Sequence, residues 1–407
     1  MEIRPATQAA SRARPRDRKE RIVAAAARRF HRSGYHAVTM GAIAADVGIT
    51  AGALYRHVRD KQDLLGRVIT DRVAATSEAL AAGDRLGDAL AEMSRLALSV
   101  RDLGTLWQRD GRHLAPARRA EVQASVRAMA ARLAGLIRAE RPGLAYADAE
   151  PLAWAVYAVL TSPAFHRTRL DRDRFDALMR RMTTAVCAAD LPEAGPAYAV
   201  PGTPVAGTRR QTLVTEAGRL FGARGYHAVT MEEIGAAAGI AGPSIYKHFP
   251  AKQDLLVAVL DRAAWRLGLD PPVPESDPRA GIAAASGAYA TYCLANPHTI
   301  GVLFTEVPYL PDAQRRRIVR AQRDYVDAWT GLLAAGGTDV TEARIRVHAA
   351  LTIANDLARM RRVRERPGAG AVLHALMLSV LRAPSGGADP GGAGVAGPAD
   401  PADPAIP

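Results

Sequence analysis

Cysteine is nearly absent from this chain, with Cys187 and Cys293 the two in 407 residues. Two isolated thiols in apolar helical contexts can build neither a disulfide framework nor a zinc cluster, so they read as small buried hydrophobes. Aromatic residues are scarce at 5%, and runs rich in Val, Ile or Thr are few while alanine dominates the apolar set. That balance disfavours sheet, because Ala loses no side-chain freedom in a helix and strands call for β-branched residues. Long apolar runs are missing too: Arg, Asp or Glu interrupts each one before the ~20 residues that a bilayer crossing needs. The Arg-rich stretch Met1 to Arg21 lacks the uncharged apolar core of a secretory signal. The chain therefore reads as soluble and cytoplasmic, with no membrane partner. No Glu-x-x-His pair and no Ser/His/Asp grouping stands out, so no catalytic residues, metal or cofactor are expected.

Lysine is a further scarcity. Lys19, Lys61, Lys247 and Lys252 are four of 54 Lys and Arg, which set against 41 acidic residues give a net charge of +13. Residues 1–200 hold 32 basic and 22 acidic side chains, and the remainder holds 22 and 19. A basic excess raises the case for a polyanionic partner without naming one.

What the chain does have is a repeat. Residues 28–65 align without a gap to residues 219–256, and twenty of the 38 positions are identical. Tyr35-His-Ala-Val-Thr-Met40 returns as Tyr226-His-Ala-Val-Thr-Met231, and Lys61-Gln-Asp-Leu-Leu65 as Lys252-Gln-Asp-Leu-Leu256. Between the copies, Leu191 to Thr208 carries four prolines and no apolar period, the composition of a linker. Pro384 to Pro407 is rich in Gly, Pro, Asp and Ala, cannot bury a core, and is expected to be disordered.

In the first copy Ile22, Val23, Ala26, Ala27 and Phe30 recur at helical spacing, and Gly34 ends that helix. Thr39 suits the cap of a second helix whose apolar face holds Ile43 and Val47. In the second copy Thr230-Met-Glu-Glu233 is a complete capping box, whereas the first has Ala42 at the Glu position. Gly48 and Gly239 fall at the turns. A third helix is expected over Thr50–His57 and over Ala241–His248, with Pro243 tolerated in a first turn. Lys61 and Lys252 open a fourth. Helix, short turn and helix is the helix-turn-helix arrangement, in which the later helix enters the major groove.

The run Phe30-x-x-x-Gly34-Tyr35, Thr39-Met-x-x-Ile43-Ala, Gly48-Ile, Leu54-Tyr55-x-His57 and Lys61-x-x-Leu64-Leu65 resembles the head of the TetR family. So does the second copy, through Ile245-Tyr246-Lys247-His248-Phe249-Pro250 and Lys252. The first copy departs at Val58, where an aromatic is usual, and at Arg59, where Pro is usual. The resemblance implies that Thr39 and Thr230 offer a hydroxyl and backbone N–H groups to phosphate at a helix start. It implies phosphate anchoring by Tyr55, His57 and Lys61, and by Tyr246, His248 and Lys252. Base reading falls to Thr50, Ala51, Gly52 and Ala53 in one head and to Ala241, Gly242, Pro243 and Ser244 in the other, with Arg56 and Lys247 suited to either task. The reading residues are small, so methyl contacts, water and DNA shape would carry much of the specificity. Tyr55 and Tyr246 also read as ordinary half-buried aromatics, and His36 and His227 as solvated or capping residues.

Downstream of each head the pattern is helical throughout, giving an all-α fold of two tandem units. Each unit is a three-helix helix-turn-helix head followed by a helical ligand-binding and dimerisation bundle. The expected organisation is a flexible basic arm at 1–14, head one at 15–75, sensor one at 76–190, a linker at 191–207, head two at 208–268, sensor two at 269–383 and a disordered tail at 384–407. Trp107, Trp154, Tyr157 and Phe165 are candidate pocket liners in unit one, as are Tyr289, Tyr292, Phe304 and Trp329 in unit two, although aromatics at helical spacing are often core. The expected partners are a double-stranded DNA operator and a small-molecule effector. An intramolecular pseudo-dimer is favoured, with Ala177, Leu178 and Val186 facing Leu373, Leu376 and Val380, and a homodimer is the rival. The leading functional expectation is a repressor released by its effector. The competing one is a helical scaffold whose degenerate heads bind protein.

Overall fold

The computed structural model describes residues 15–193, 208–240, 242–269 and 277–385. The expected arm at 1–14, most of the linker, Ala241 and the tail from residue 386 lie outside them. Among the described residues every regular element is helical.

Head one comprises α1 (Pro15–Ala37), α2 (Met40–Val47) and α3 (Ala51–Tyr55). Gly34 breaks the α1 register with φ 74° and ψ 161°, a left-handed conformation that glycine adopts without the Cβ penalty. Its counterpart Gly225 has φ 86°. The bundle of unit one follows as α4 (Lys61–Ala81), α5 (Leu86–Ser99), α6 (Leu103–Thr105), α7 (Pro116–Glu140), α8 (Tyr146–Thr161) and α9 (Arg172–Cys187). A π turn at Leu106–Asp110 and a 3₁₀ turn at Gly111–His113 join α6 to α7.

Unit two repeats the plan. Its head holds α10 (Arg209–Arg224), α11 (Met231–Ala237) and α12 (Gly242–Ile245). Its bundle runs through α13 (Lys252–Leu269), α14 (Pro278–Ala295), α15 (Pro297–Thr305), α16 (Asp312–Ala335), α17 (Val340–Arg359), α18 (Arg361–Arg364) and α19 (Ala369–Leu381). In each head the first helix packs on the second and on the long helix that opens the bundle. Phe30, Ile43, Leu54 and Leu64 are fully buried in head one, and Phe221, Ile234, Ile245 and Leu255 repeat them in head two. At ~1.5–3 kcal/mol per buried large apolar side chain, such clusters are what hold short helices of five or four residues in place.

The two units pack against each other, α8 on α17 and α9 on α19. Leu178, Val186, Leu373, Leu376 and Val380 are fully buried, whereas Ala177 lines an open groove between α9 and α19. Polar contacts cross the junction as well. Gln108 Nε2 donates to both carboxylate oxygens of Asp356 at 2.8 and 2.9 Å, and Arg181 pairs with Glu342 at 3.2 Å. Arg366 pairs with Asp148, and Arg112 with the wholly buried Glu306. Tyr226 N–H also donates to Glu306 at 3.3 Å, just as Tyr35 N–H donates to Asp110 at 3.2 Å. Asp110 is neutralised within its own unit by Arg109, whereas Glu306 relies on an arginine of the other unit. The junction is thus asymmetric in its charges.

Two histidine contacts also cross it. The rings of His36 and His227 lie 4.3 Å apart where the heads meet, flanked by His113 and Tyr309. Deeper in, His166 stacks on His348 at 4.7 Å, and both are buried. Burial, then the neighbouring His348 charge, hold His166 well below the usual imidazole range, and burial with Arg344 pushes His348 down to about 3. Because these folded-state values lie below the unfolded one, the pair contributes stability that is present above the unfolded value of about 6.5 and is lost as pH falls towards 3. The urea midpoint is therefore expected to drop between pH 7.5 and pH 5.0. Replacing both rings by phenylalanine should reduce that dependence, leaving the part due to His113, which burial also pushes down to about 3, and an unchanged slope in the double variant would assign it elsewhere.

Candidate nucleic-acid interface and inter-unit cavity

Each head presents its third helix in the same way. Thr50 caps α3 by accepting the Ala53 N–H at 3.2 Å, and Leu54 pins the helix to the head core with no exposed surface. Ala51, Gly52, Tyr55 and Arg56 are left exposed, with Ala53 and His57 half-buried. In head two, Ile245 is the buried pin, Pro243, Tyr246 and Lys247 are exposed, and Ser244 and His248 are half-buried. Tyr55 and Tyr246 are 53% and 46% exposed, which places both rings on the outer face and not in the core. Tyr246 Oη donates to Glu232 Oε1 at 3.0 Å; Gly41 stands at the matching position of head one, so Tyr55 has no such tether.

Both third helices are shorter than the eight residues expected. His57 N–H and Val58 N–H both reach back to the Leu54 carbonyl, and His248 and Phe249 do the same to Ile245, so each helix tightens into a turn after its anchor. The departures at Val58 and Arg59 are absorbed locally. Val58 is buried where Phe249 is buried in the other head, and Arg67 Nη1 donates to the His57 carbonyl at 2.8 Å. Arg210 performs that service for His248 at 2.8 Å while its guanidinium lies 4.0 Å over the Phe249 ring.

Thr39 accepts the Ala42 N–H at 3.2 Å, and the reciprocal box of Thr230 and Glu233 closes at 3.2 and 2.8 Å. Both threonine hydroxyls accept from the helix, and that of Thr230 also bonds the carboxylates of Glu232 and Glu233. Thr230→Ala should cost ~1 kcal/mol of stability, a difference that a urea titration resolves. Thr39→Ala, which breaks a cap without the reciprocal bond, should cost less. The lysines stand differently from the expected phosphate anchors. Lys61 Nζ donates to the Tyr35 and Val38 carbonyls at 2.9 and 3.0 Å and sits 4.4 Å from the Tyr35 ring centre. Lys252 repeats this on Tyr226 and Val229 at 3.0 and 2.9 Å. Each is first a strut that fixes the connection between the first and second helices.

The expected pocket in each unit is not what the packing gives. Tyr289 and Trp329 are buried in the core of unit two beside Tyr325, and Tyr289 Oη donates to Asn355 at 2.8 Å. Tyr292 packs against that core, and the side chain of Phe304 lies outside the described set. Phe165 is buried in unit one. Trp107, Trp154 and Tyr157 do line a cavity of about 570 Å³, but its far wall is Asp356, Arg359, Met360 and Arg364 of unit two. Burial raises the Asp356 carboxyl above the usual range, against the opposing pull of Arg359. Sequence reasoning missed the unit-two wall because its residues follow no aromatic pattern.

The family described as bacterial regulatory proteins of the tetR family matches residues 22–68 and 213–259, one stretch in each head, so two stretches like that family's stand in tandem. Among curated proteins, the HTH-type transcriptional activator FasR of Mycolicibacterium smegmatis is 46% identical over 54 residues, 13% of this chain and 25% of that protein. The match therefore spans a quarter of that relative's length. Among solved structures, the TetR family transcriptional regulator PfmR from Thermus thermophilus is 22% identical with a TM-score of 0.39, covering 45% of this chain and all of that one. The regulator FadR from Bacillus subtilis, solved with stearoyl-CoA, is 20% identical with a TM-score of 0.32, covering 42% of this chain and 95% of that one. Among the described residues no helix is long and apolar enough to cross a membrane.

Proposed function

We propose that the protein is a transcriptional regulator in which both heads of one chain grip one double-stranded operator, and that an effector bound in the body shifts the heads and releases it. The observation that carries this reading is the pair of exposed third helices, each pinned by one buried residue and both borne on a single packed body. Heads that read successive major grooves must stand about 34–36 Å apart. A body that fixes their spacing can switch binding by changing it, provided that the effector binds one arrangement better than the other. The two reading turns differ, Thr-Ala-Gly-Ala against Ala-Gly-Pro-Ser, so the half-sites should differ too. Repression is the sign we favour. The curated relative is named an activator, but the match spans 54 residues, 13% of this chain, too little to carry over what binding does to a promoter.

Electrophoretic titration against the DNA upstream of the protein's own gene tests the reading. Specific binding with a Kd of about 10⁻⁸–10⁻¹¹ M that weakens steeply with salt is expected. The absence of any sequence preference would favour a helical scaffold with degenerate heads.

A further inference from the structure

We propose that the two units share one effector site: the cavity between them takes a single amphipathic anion, an apolar body carrying one acidic head. Duplication alone predicts two equivalent pockets, one per bundle. Packing instead gives unit two an aromatic core at Tyr289, Tyr325 and Trp329, and leaves the aromatic wall of unit one facing arginines of the other unit. At about 570 Å³ the cavity falls in the range of small-molecule sites, roughly 300–1,000 Å³.

The wall chemistry selects the ligand class. Trp107, Trp154 and Met129 offer an apolar surface, and Arg112, Arg119, Arg359 and Arg364 offer four guanidiniums against the one carboxylate of Asp356. Glu306 pairs with Arg112 and Asp356 with Arg359, so both of these charges already have a counter-charge. Arg364 donates to the Ala358 carbonyl at 3.3 Å and keeps most of its planar fork. Arg364 and Arg119 are therefore the cations left to meet an acidic group, and a guanidinium fork suits a carboxylate or phosphate edge. The Tyr157 hydroxyl and Gln108 Oε1, on two residues of the wall, are buried without a hydrogen-bond partner. One molecule touching both walls reports directly on the relative placement of the units, which two separate pockets would not do.

The consequence at DNA rests on the regulatory reading above, but the binding event does not. Calorimetric titration of the full chain with decanoate below its micelle concentration, in parallel with decanol, tests it. The expected result is one decanoate per chain, decanol weaker by about tenfold or more, and a comparable loss of decanoate binding in Arg364→Gln, which removes a charge-assisted contact, and in Trp154→Ala, which removes apolar contact. Thermal denaturation checks that both variants remain folded. Two decanoates per chain, equal affinity for decanol, full affinity in Arg364→Gln or no decanoate binding would each overturn the shared anion site. Decanoate that binds once and leaves an operator complex intact would sink the regulatory reading and spare the site.

Discussion

Gly52→Glu is expected to weaken operator binding by roughly 10²–10⁴-fold, the loss that follows when one of two linked contacts is removed. Gly52 is exposed in the first turn of α3, and a Cβ built there meets nothing within 4 Å. The fold therefore has no steric reason to object. A carboxylate in a first turn also suits the helix dipole by about 0.3–1 kcal/mol, so stability should hold or rise slightly while the new charge faces the phosphates. Pro243→Glu is the matching change in head two, at an exposed position, and the double variant should retain only salt-sensitive, sequence-indifferent binding. Quantitative electrophoretic titration at two salt concentrations reads all three. If Gly52→Glu binds as tightly as the parent, α3 does not lie in the groove.

Arg112→Ala should destabilise the chain by about 3–5 kcal/mol, the usual penalty for stranding one member of a buried ion pair. Glu306 has no exposed surface, and its other contacts, Tyr226 N–H at 3.3 Å and Thr305 Oγ1 at 2.7 Å, do not supply a counter-charge. Gly225 makes room for the arginine: a Cβ there would stand 2.9 Å from the guanidinium carbon. The double replacement Arg112→Met with Glu306→Met should recover most of the loss, because well-packed apolar pairs often replace a buried ion pair at little cost. Arg109→Ala strands Asp110 in the same way but within one unit. Urea unfolding of these variants separates a junction contact from a local one: Arg112→Ala should also loosen contact between the heads, seen as faster proteolysis, whereas Arg109→Ala should not.

Much of this architecture was legible in the sequence because its signals are local. The starts of α14 and α17 follow capping aspartates, Asp277 and Asp339. Thr39 and Thr230 cap the helices they were expected to cap, since a hydroxyl three residues before a free N–H needs no distant partner. What escaped was short or non-local. The turns at 103–113 and the helix α15 are too brief to show a period. Downstream of head two the pattern is helical throughout, yet α17 ends at Met360, whose ψ of 116° turns the chain. The lysines opening α4 and α13 were read as anchors, because only the fold shows that two carbonyls of the preceding connection reach their ammonium groups. The cavity could not be read at all. Its walls, Trp107 to Tyr157 and Asp356 to Arg364, are brought together by packing between units, and no spacing in the sequence records that.

The central claim is that one chain supplies both heads to one operator, and the mass of the complex tests it most directly. Light scattering of the chain bound to a duplex carrying its selected site should give one 43.2 kDa chain per duplex, with both half-sites protected from cleavage. A complex holding two chains per duplex, with one head of each idle, would contradict the account.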